Sequence, residues 1–254
     1  MDPIGVEGIS YNITMKSETA ERIFSLNYQF YQSFAEEFSE TRQRLQPGVL
    51  RLMDNFQAES RILDLGCGNG ALARELARTG FSGSYHGTDF SPLLLQKARE
   101  GFPEDFPAEF IELELPAASW QDYLPDSTFE IVLSFAVLHH IPGHENRLNL
   151  CRKIRRYISV GGLYYHSNWQ FLRSERQKRR ILPWKEAGIS ENDLDEGDYL
   201  LDWKRGGKGT RYVHHFSADE LSQMAELADF EVVDSFFSDG KEGDLSIYQI
   251  WKPI

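Results

Sequence analysis

The chain has 254 residues, of which 41% are hydrophobic and 26% charged, and this composition is typical of a globular protein with a substantial core. Its 39 acidic and 27 basic residues give a net charge of −12, which disfavours general attraction to nucleic acids and anionic membranes. We find no apolar run long enough to span a membrane, and we expect no secretory leader. Two cysteines are too few for a disulfide framework or a cysteine-based zinc site, so we expect a cytoplasmic protein without a metal site.

The first predicted elements are helical and cover residues 17–55, which we expect to form an N-terminal cap. Apolar residues recur there at spacings of three and four, as on one face of a helix. They are Phe24, Tyr28, Tyr31, Phe34, Ala35 and Phe38. A second helix is predicted over residues 47–53, where Pro47 occupies the first turn.

Strands and helices alternate from residue 61 onward. The predicted strands cover residues 61–65, 84–88, 109–113, 129–135 and 162–167, and the predicted helices cover 71–78, 91–100 and 147–158. Such alternation builds right-handed βαβ units with a parallel sheet between two helical layers. We therefore expect residues 60–167 to form the core of the domain.

The C-terminal part, residues 213–254, is predicted to end the sheet. Ser217 and Glu220 form a capping box that opens a helix, and strands follow at 230–237 and 245–251. Their connection is too short for a crossover helix, so the two strands should be antiparallel. The predicted fold is a single α/β domain with a Rossmann-like, doubly wound, seven-stranded mixed sheet whose last strand is antiparallel. Residues 168–212 are too many for a plain connection and are predicted to form a lid or substrate insertion.

A glycine-rich loop follows the first predicted strand. Gly66, Gly68 and Gly70 allow a close backbone approach, and the helix behind them offers free N–H groups to a ligand. The dinucleotide fingerprint requires glycine at position 71, where this chain has alanine, so a nicotinamide oxidoreductase is a weaker alternative. Asp89 ends the second strand, where a carboxylate can accept both hydrogen bonds of a ribose diol.

The segment 64–70 together with Asp89 resembles the class I S-adenosylmethionine-dependent methyltransferases. The resemblance implies S-adenosylmethionine as the cofactor, with Glu114 near the adenine amino group and residues 134–136 near the methionine end. It implies the following cofactor-binding residues: Asp64, Gly66, Cys67, Gly68, Asn69, Gly70, Asp89, Phe90, Glu114, Leu115, Ser134, Phe135 and Ala136. Cys67 is expected to pack in the loop and not to act as a nucleophile.

A narrower resemblance concerns the methyl acceptor. Residues 34–42, residues 136–140, Trp169 and residues 211–216 are similar to the tRNA wobble-uridine carboxymethyl methyltransferases, which esterify a carboxymethyl group on an anticodon base. The resemblance implies a tRNA acceptor and a small activating subunit. Residues 43–47 depart from the aromatic-proline stretch that this family has after its Thr-Arg pair.

Five residues are candidates for contact with the acceptor. Arg42 or Arg211 could orient a carboxylate, which is already ionised near pH 7 and needs no general base. His139 or His140 could act as the base for a hydroxyl or amine acceptor, and Trp169 could stack on an aromatic ring. His166 and one of His214 and His215 are expected at the same edge of the sheet. These residues leave a carboxylate, a hydroxyl and an amine open as acceptors.

The distribution of charge leaves the nature of the acceptor open as well. Residues 152–185 contain ten basic residues and one acid, which could form a basic face for a polyanion or simply solvated helix surfaces. The alternatives to an RNA methyltransferase are a small-molecule methyltransferase and a catalytically silent methyltransferase fold that binds another protein.

Overall fold

The computed structural model describes residues 15–41, 44–100, 102, 106–115, 119–125 and 127–254. The chain begins with three helices, α1 (Ser17–Ser33), α2 (Ala35–Glu40) and α3 (Pro47–Met53). The predicted aromatic face is divided between α1 and α2, because Phe34 leaves the helical conformation with φ −126°. The candidate Arg42 lies outside the described residues.

The central sheet is built from two groups of strands. The first group alternates with helices: β1 (Arg61–Leu65), α4 (Ala71–Arg78), β2 (Ser84–Asp89), α5 (Pro92–Arg99), β3 (Ala108–Glu112), β4 (Phe129–Phe135), α6 (His144–Arg156) and β5 (Ile158–Trp169). β1, α4 and β4 have the predicted bounds. The helix predicted at 147–158 begins three residues earlier, after Gly143 with φ +86°, and the strand predicted at 162–167 is twice as long.

An insertion follows β5 and holds a second, smaller sheet. It consists of α7 (Glu175–Lys178), β6 (Ile181–Leu182), β7 (Asp198–Trp203) and β8 (Gly209–His214). The three strands are antiparallel in the order β6-β7-β8. The chain then returns to the main sheet through α8 (Ala218–Leu227), β9 (Phe230–Ser238) and β10 (Ser246–Pro253). Ser217 caps α8 as predicted, since its hydroxyl accepts the Glu220 N–H.

The main sheet has the strand order β3-β2-β1-β4-β5-β10-β9. The pairs among β1 to β5 are parallel, and β10 runs antiparallel to both of its neighbours, β5 and β9. The predicted fold class is therefore confirmed. Alternate residues of β5 show why both faces are covered: Tyr164 packs in the core with α6 and α8, and Tyr165 packs in the core with α3 and α4.

The insertion is tied to the rest of the molecule by a buried ionic cluster. The Arg147 guanidinium on α6 lies 2.8 Å from the Asp195 carboxylate and 4.0 and 3.9 Å from those of Asp198 and Glu220. Burial by itself would lower the pKa of Arg147, but the Tyr212 hydroxyl and these carboxylates raise it. Since Asp195 and Asp198 belong to the insertion, the cluster fixes the insertion on α6 and α8.

In the described part of the chain, we find no helix that is both long and apolar enough to cross a membrane.

Candidate functional site

A cavity of about 750 Å³ lies at the carboxyl edge of the parallel strands, beneath α1 and α2. This edge is where doubly wound sheets bind their ligands, because the loops after each strand meet there. Most of the predicted site residues line the cavity. They are Asp64, Gly66, Cys67, Gly68, Asn69, Asp89, Phe90, Glu114, Leu115, Phe135, Ala136, His139, His140, Trp169 and Arg211.

Two predicted cofactor residues do not line the cavity. Gly70 is the residue before α4 and has φ +73°, and a Cβ atom there would lie 3.0 Å from the Ala98 backbone. Glycine is therefore needed at position 70, because a side chain there would prevent α4 from packing closely on α5. Ser134 is buried with its hydroxyl 2.5 Å from that of Tyr164, whereas its neighbour Phe135 lines the cavity. Side chains alternate along a strand, so Phe135 and not Ser134 is available to a ligand.

The glycine loop holds its shape through main-chain hydrogen bonds. The N–H groups of Gly66 and Cys67 both donate to the Thr88 carbonyl, at 2.7 and 2.8 Å. Gly68 has φ +57°, and no atom within 4 Å would meet a Cβ there. Glycine at position 68 therefore provides both the left-handed backbone and open space on the ligand side. The Asn69 amide donates to the Ser39 hydroxyl at 3.0 Å, which joins the loop to α2.

Asp89 connects the loop to the second strand. Its carboxylate accepts the Gly68 N–H at 3.0 Å and the Ser91 N–H at 2.9 Å. Burial raises the pKa of Asp89 to about 6, although these backbone hydrogen bonds act to lower it. Each carboxylate oxygen has a further lone pair for a ligand hydroxyl.

Asp64 places a second carboxyl on the same wall. The Tyr85 hydroxyl donates to it at 2.5 Å, and burial together with the charge of Asp89 raises the pKa of Asp64 to about 7. Burial and both carboxylates raise the pKa of the Cys67 thiol well above its usual value, so Cys67 is a neutral thiol. Two buried acids beside the cavity favour a cationic ligand at this wall.

The other half of the cavity contains Trp169 and Arg211. The Arg211 guanidinium lies 5.0 Å from the centre of the Trp169 ring and 5.6 Å from those of Phe30 and Trp203. Arg211 is 5% exposed, so this charge is held in an aromatic setting that excludes most water. The four residues come from β5, β7, β8 and α1, which are far apart in the sequence.

Hydrogen bonds within the protein engage ring nitrogens of both histidines after β4. Nδ1 of His139 lies 3.3 Å from both the Trp169 main-chain nitrogen and the Asn168 side-chain oxygen. Burial lowers the pKa of His139 well below its usual value, so the ring is neutral. Nδ1 of His140 donates to the Tyr212 carbonyl at 3.1 Å, and its Nε2 accepts the Tyr31 hydroxyl at 2.9 Å.

His166 lies away from the cavity, contrary to expectation, and so do both His214 and His215, of which one was expected there. His166 is inside β5, packed on Trp251, and burial lowers its pKa to about 3. His214 lies between the carboxylates of Asp198 and Glu220, at 2.7 and 2.9 Å, and His215 packs on Phe171. The insertion turns β8 so that Arg211 lines the cavity while these two residues do not.

Some lining residues have no signal in the sequence. They include Asn27, Gln177, Asp239 and Tyr248. Asp239 has a positive φ of 71° in the turn between β9 and β10, and it accepts hydrogen bonds from the Gly48 N–H and the Tyr248 hydroxyl. The aspartate-glycine pair at 239–240 indicated a turn, but only the hairpin's position beside β5 brings it to the cavity. Of the aromatic residues on the predicted helical face, Phe24, Tyr28, Tyr31 and Phe38 line the cavity, whereas Phe34 packs on Trp203.

Comparison with known proteins adds independent information. A family model described as "Methyltransferase domain" matches residues 37–235. A protein of Encephalitozoon cuniculi named as a methyltransferase is 31% identical over 208 residues, which are 82% of this chain and 88% of that protein. The tRNA (carboxymethyluridine(34)-5-O)-methyltransferase of Schizosaccharomyces pombe is 23% identical over 220 residues, 79% of this chain and 86% of the relative.

Other relatives are larger, and the structural likeness concerns the fold. The chain spans 39% of the length of a Bos taurus protein named as a probable tRNA methyltransferase, with 25% identity over 190 residues. A crystal structure of a S-adenosylmethionine-dependent methyltransferase from Methanosarcina mazei superposes with a TM-score of 0.62 at 22% identity. The match covers 83% of this chain and 98% of that structure.

Proposed function

The chain belongs to the class I S-adenosylmethionine-dependent methyltransferases, and from this premise we propose that it esterifies a carboxylate carried by an RNA base. The proposal rests on one observation above all. The half of the cavity beyond the glycine loop presents the Arg211 guanidinium beside the Trp169 ring. A planar cation next to a flat aromatic surface suits an acceptor that combines an unstacked base with a carboxylate.

We propose that the glycine-loop half of the cavity holds the cofactor. Asp89 would accept the ribose hydroxyls, the backbone at Gly66 and Gly68 would approach the cofactor closely, and Asp64 would face its positive charge. When bound, S-adenosylmethionine supplies a methyl group that is activated by its positive sulfur. The chain's contribution is then to position the acceptor in line with this group and to exclude water.

The environments of the two histidines support a carboxylate acceptor over a hydroxyl or an amine. A hydroxyl or amine benefits from a base that removes its proton. Burial holds the pKa of His139 well below its usual value, which makes it a weak base, and Nε2 of His140 already accepts the Tyr31 hydroxyl. A carboxylate is ionised without help and needs only a donor that orients it, which Arg211 can supply.

The relatives' names support the RNA part of the proposal. The Schizosaccharomyces pombe relative is named for methylation of carboxymethyluridine at position 34 of tRNA. We propose the same class of acceptor here, a carboxymethylated uridine in the anticodon loop. An activating partner subunit, which the sequence resemblance implies, is part of the same proposal.

The proposal is tested with an anticodon stem–loop RNA that carries either 5-carboxymethyluridine or uridine at the wobble position. We expect methyl transfer only to the carboxymethyl RNA, and the product should lose its label as methanol in mild alkali because it is an ester. At saturating S-adenosylmethionine, we expect a transfer rate that changes little between about pH 6 and pH 9, since no base acts on the acceptor. An alkali-stable product, or transfer to small-molecule acceptors alone, would contradict the proposal.

Arg211 provides the matching variant. Arg211→Gln should lower kcat/KM for the carboxymethyl RNA by roughly a hundredfold, because a charged hydrogen bond to the acceptor is lost. Arg211→Lys should recover part of this loss, since it restores the charge without the planar fork. Isothermal titration with S-adenosylmethionine should give the same Kd for both variants and the unmodified chain.

A further inference from the structure

The basic residues of 152–185 form two separate surfaces and not one face, which corrects the sequence-based interpretation. Arg152, Lys153, Arg155 and Arg156 lie near the end of α6, which leads into the amino end of β5. The remaining basic residues follow the carboxyl end of β5, on the side of the cavity. Because β5 contains twelve residues, the two groups lie at opposite edges of the main sheet.

The group near the cavity is joined by a second basic stretch that the sequence analysis did not connect with it. Strand β6 pairs antiparallel with β7, with Ile181 opposite Leu201. The chain before β6, residues 173–180, therefore runs beside the turn after β7, residues 202–208. Arg180 bonds the main chain and the side chain of Asp202, which fixes this neighbourhood. We call the two stretches together the insertion edge.

The insertion edge is strongly basic in an acidic protein. It contains eight basic residues and two acids, whereas the whole chain has a net charge of −12. The basic residues are Arg173, Arg176, Lys178, Arg179, Arg180, Lys204, Arg205 and Lys208. Such a separation of charge concentrates positive potential on one surface and attracts a polyanion to it.

Half of these cations are engaged within the protein. Lys178 pairs with Glu175 at 2.7 Å, Arg180 and Lys204 pair with Asp202 at 3.0 and 2.9 Å, and Arg173 pairs with Asp244 at 3.5 Å. The other four form no ion pair with any residue that the structure describes, and all four are exposed. They are Arg176, Arg179, Arg205 and Lys208.

The insertion edge borders the half of the cavity that contains Trp169 and Arg211, which we call the acceptor half. Gln177, which lies between two of these basic residues, lines the cavity itself. Trp203, which ends β7 just before the basic turn, packs on Phe30 and lies 5.6 Å from the Arg211 guanidinium. An acceptor base on Trp169 and Arg211 would therefore leave the cavity beside this cationic surface.

We propose that the insertion edge binds the phosphodiester backbone of the RNA whose base enters the cavity. This inference rests on the proposed function. A nucleic acid can place a base in the cavity and regularly spaced phosphates outside it. An acidic peptide has no base to place in the cavity. Exposed arginines with their donors available bind phosphates in this way. The net charge of −12 then limits binding elsewhere on the molecule.

The test compares two variants that change the net charge equally. R176Q/R179Q/K208Q removes three cations of the insertion edge. R152Q/R156Q/K252Q removes three cations at the opposite edge of the main sheet, where Lys252 lies in β10 beside Glu231. Binding of a fluorescently labelled carboxymethyl anticodon stem–loop is measured as a function of salt, and cofactor binding by calorimetry verifies that each variant is folded.

We expect the insertion-edge variant to bind RNA roughly tenfold to a hundredfold more weakly at 0.1 M salt, with a slope of log K against log salt reduced by about two to three. The opposite-edge variant should bind like the unmodified chain. At saturating RNA, both variants should retain the unmodified kcat, because the insertion edge holds the RNA and does not contact the reacting atoms.

Equal loss in both variants would overturn the inference, since it would indicate an effect of net charge alone. Unchanged binding in the insertion-edge variant would also overturn it, and so would a failure of the unmodified chain to bind RNA. The two proposals fail separately. Ester formation on RNA with unchanged binding by the insertion-edge variant contradicts only the inference. Selective loss of RNA binding without ester formation contradicts only the proposed function.

Discussion

Asp64 and Asp89 occupy one wall of the cavity, and the pKa of each carboxyl is raised by burial, to about 7 and about 6. Neither carboxyl forms an ion pair with a basic residue in the described part of the chain. A buried acid without a cation costs stability when it ionises. A bound cationic ligand would supply the positive charge that these two carboxylates lack within the protein.

The first prediction concerns the binding of S-adenosylmethionine by Asp89. Asp89→Ala should weaken binding by roughly tenfold or more, because charged hydrogen bonds to the ribose and the anchor of Gly68 are lost. Affinity of the unmodified chain should rise as pH increases through about 6, since the ionised carboxylate is the binding form. Isothermal titration at several pH values measures both effects.

Glu112→Ala is the matched control for Asp89. Glu112 pairs with Asp89 in the register of β2 and β3, but its side chain is exposed and does not line the cavity. Equal affinity losses in the two variants would contradict the role of Asp89.

The second prediction concerns stability and Asp64. The pKa of Asp64 is about 7 in the folded protein against an ordinary value of 3.8, so its neutral form is favoured by folding. As pH rises above about 4, Asp64 ionises in the unfolded chain before it ionises in the folded protein. The free energy of unfolding therefore falls progressively up to about pH 7. Asp64→Asn removes this loss while keeping an acceptor for the Tyr85 hydroxyl.

We therefore expect cofactor-free Asp64→Asn to melt several degrees higher than the unmodified chain at pH 8 and within about a degree of it near pH 4. Asp122→Asn, at an exposed carboxylate, should leave the melting temperature unchanged at both pH values. A variant that melts lower at pH 8 would contradict the prediction.

At the scale of elements, the Asn27 amide links α1 to two segments beside the cavity. Asn27 accepts the Tyr212 N–H at 2.8 Å and donates to the carbonyls of Tyr212 and His140, both at 3.3 Å. Through these bonds α1 is attached to β8 of the insertion and to the segment that follows β4. The side chain continues the hydrogen bonding of β8 at a position where no further strand pairs with it.

The third prediction follows from this arrangement. Asn27→Ala should destabilise the protein by about 1 to 3 kcal/mol, because buried main-chain groups lose their partners. Hydrogen exchange should show faster exchange of the α1 amides, with those of α4 unaffected. Gln29→Ala, on the exposed side of the same helix, should change neither quantity. Uniform exchange changes across both helices would argue against a local attachment.

At the scale of the whole molecule, the ionic cluster around Arg147 joins the insertion to the main domain. Three carboxylates from two parts of the chain surround one guanidinium that is 1% exposed. The cluster contributes orientation more than net stability, because burying these charges is itself costly. The position of Arg211 on β8, and with it the acceptor half of the cavity, depends on this connection.

The fourth prediction is that Arg147→Met destabilises the protein by about 3 to 5 kcal/mol near neutral pH, since it leaves buried carboxylates without their cation. Denaturant unfolding measures the change, and limited proteolysis should cut first within residues 168–212. Arg152→Met, at an exposed position of the same helix, should cost less than about 1 kcal/mol. Similar losses in both variants would contradict the role of the cluster.

The sequence by itself determined the main fold and most of the glycine-loop half of the cavity. The bounds of β1, α4 and β4 follow from local patterns of apolar residues and glycines. The residues of the glycine loop and Asp89 lie within one βαβ unit, so their spacing in the chain already implies their proximity. The side-chain direction of Ser134 was the exception, because which face of β4 meets the cavity depends on the layers that pack on it.

The tertiary structure alone decided the acceptor half. Trp169, Trp203, Arg211 and Phe30 meet through the small sheet of the insertion, whose two-residue strand β6 has no detectable pattern of its own. The separation of the basic residues into two surfaces likewise depends on the direction of β5 and the pairing of β6 with β7. Contacts between distant segments follow from packing and strand pairing, which the local sequence does not specify.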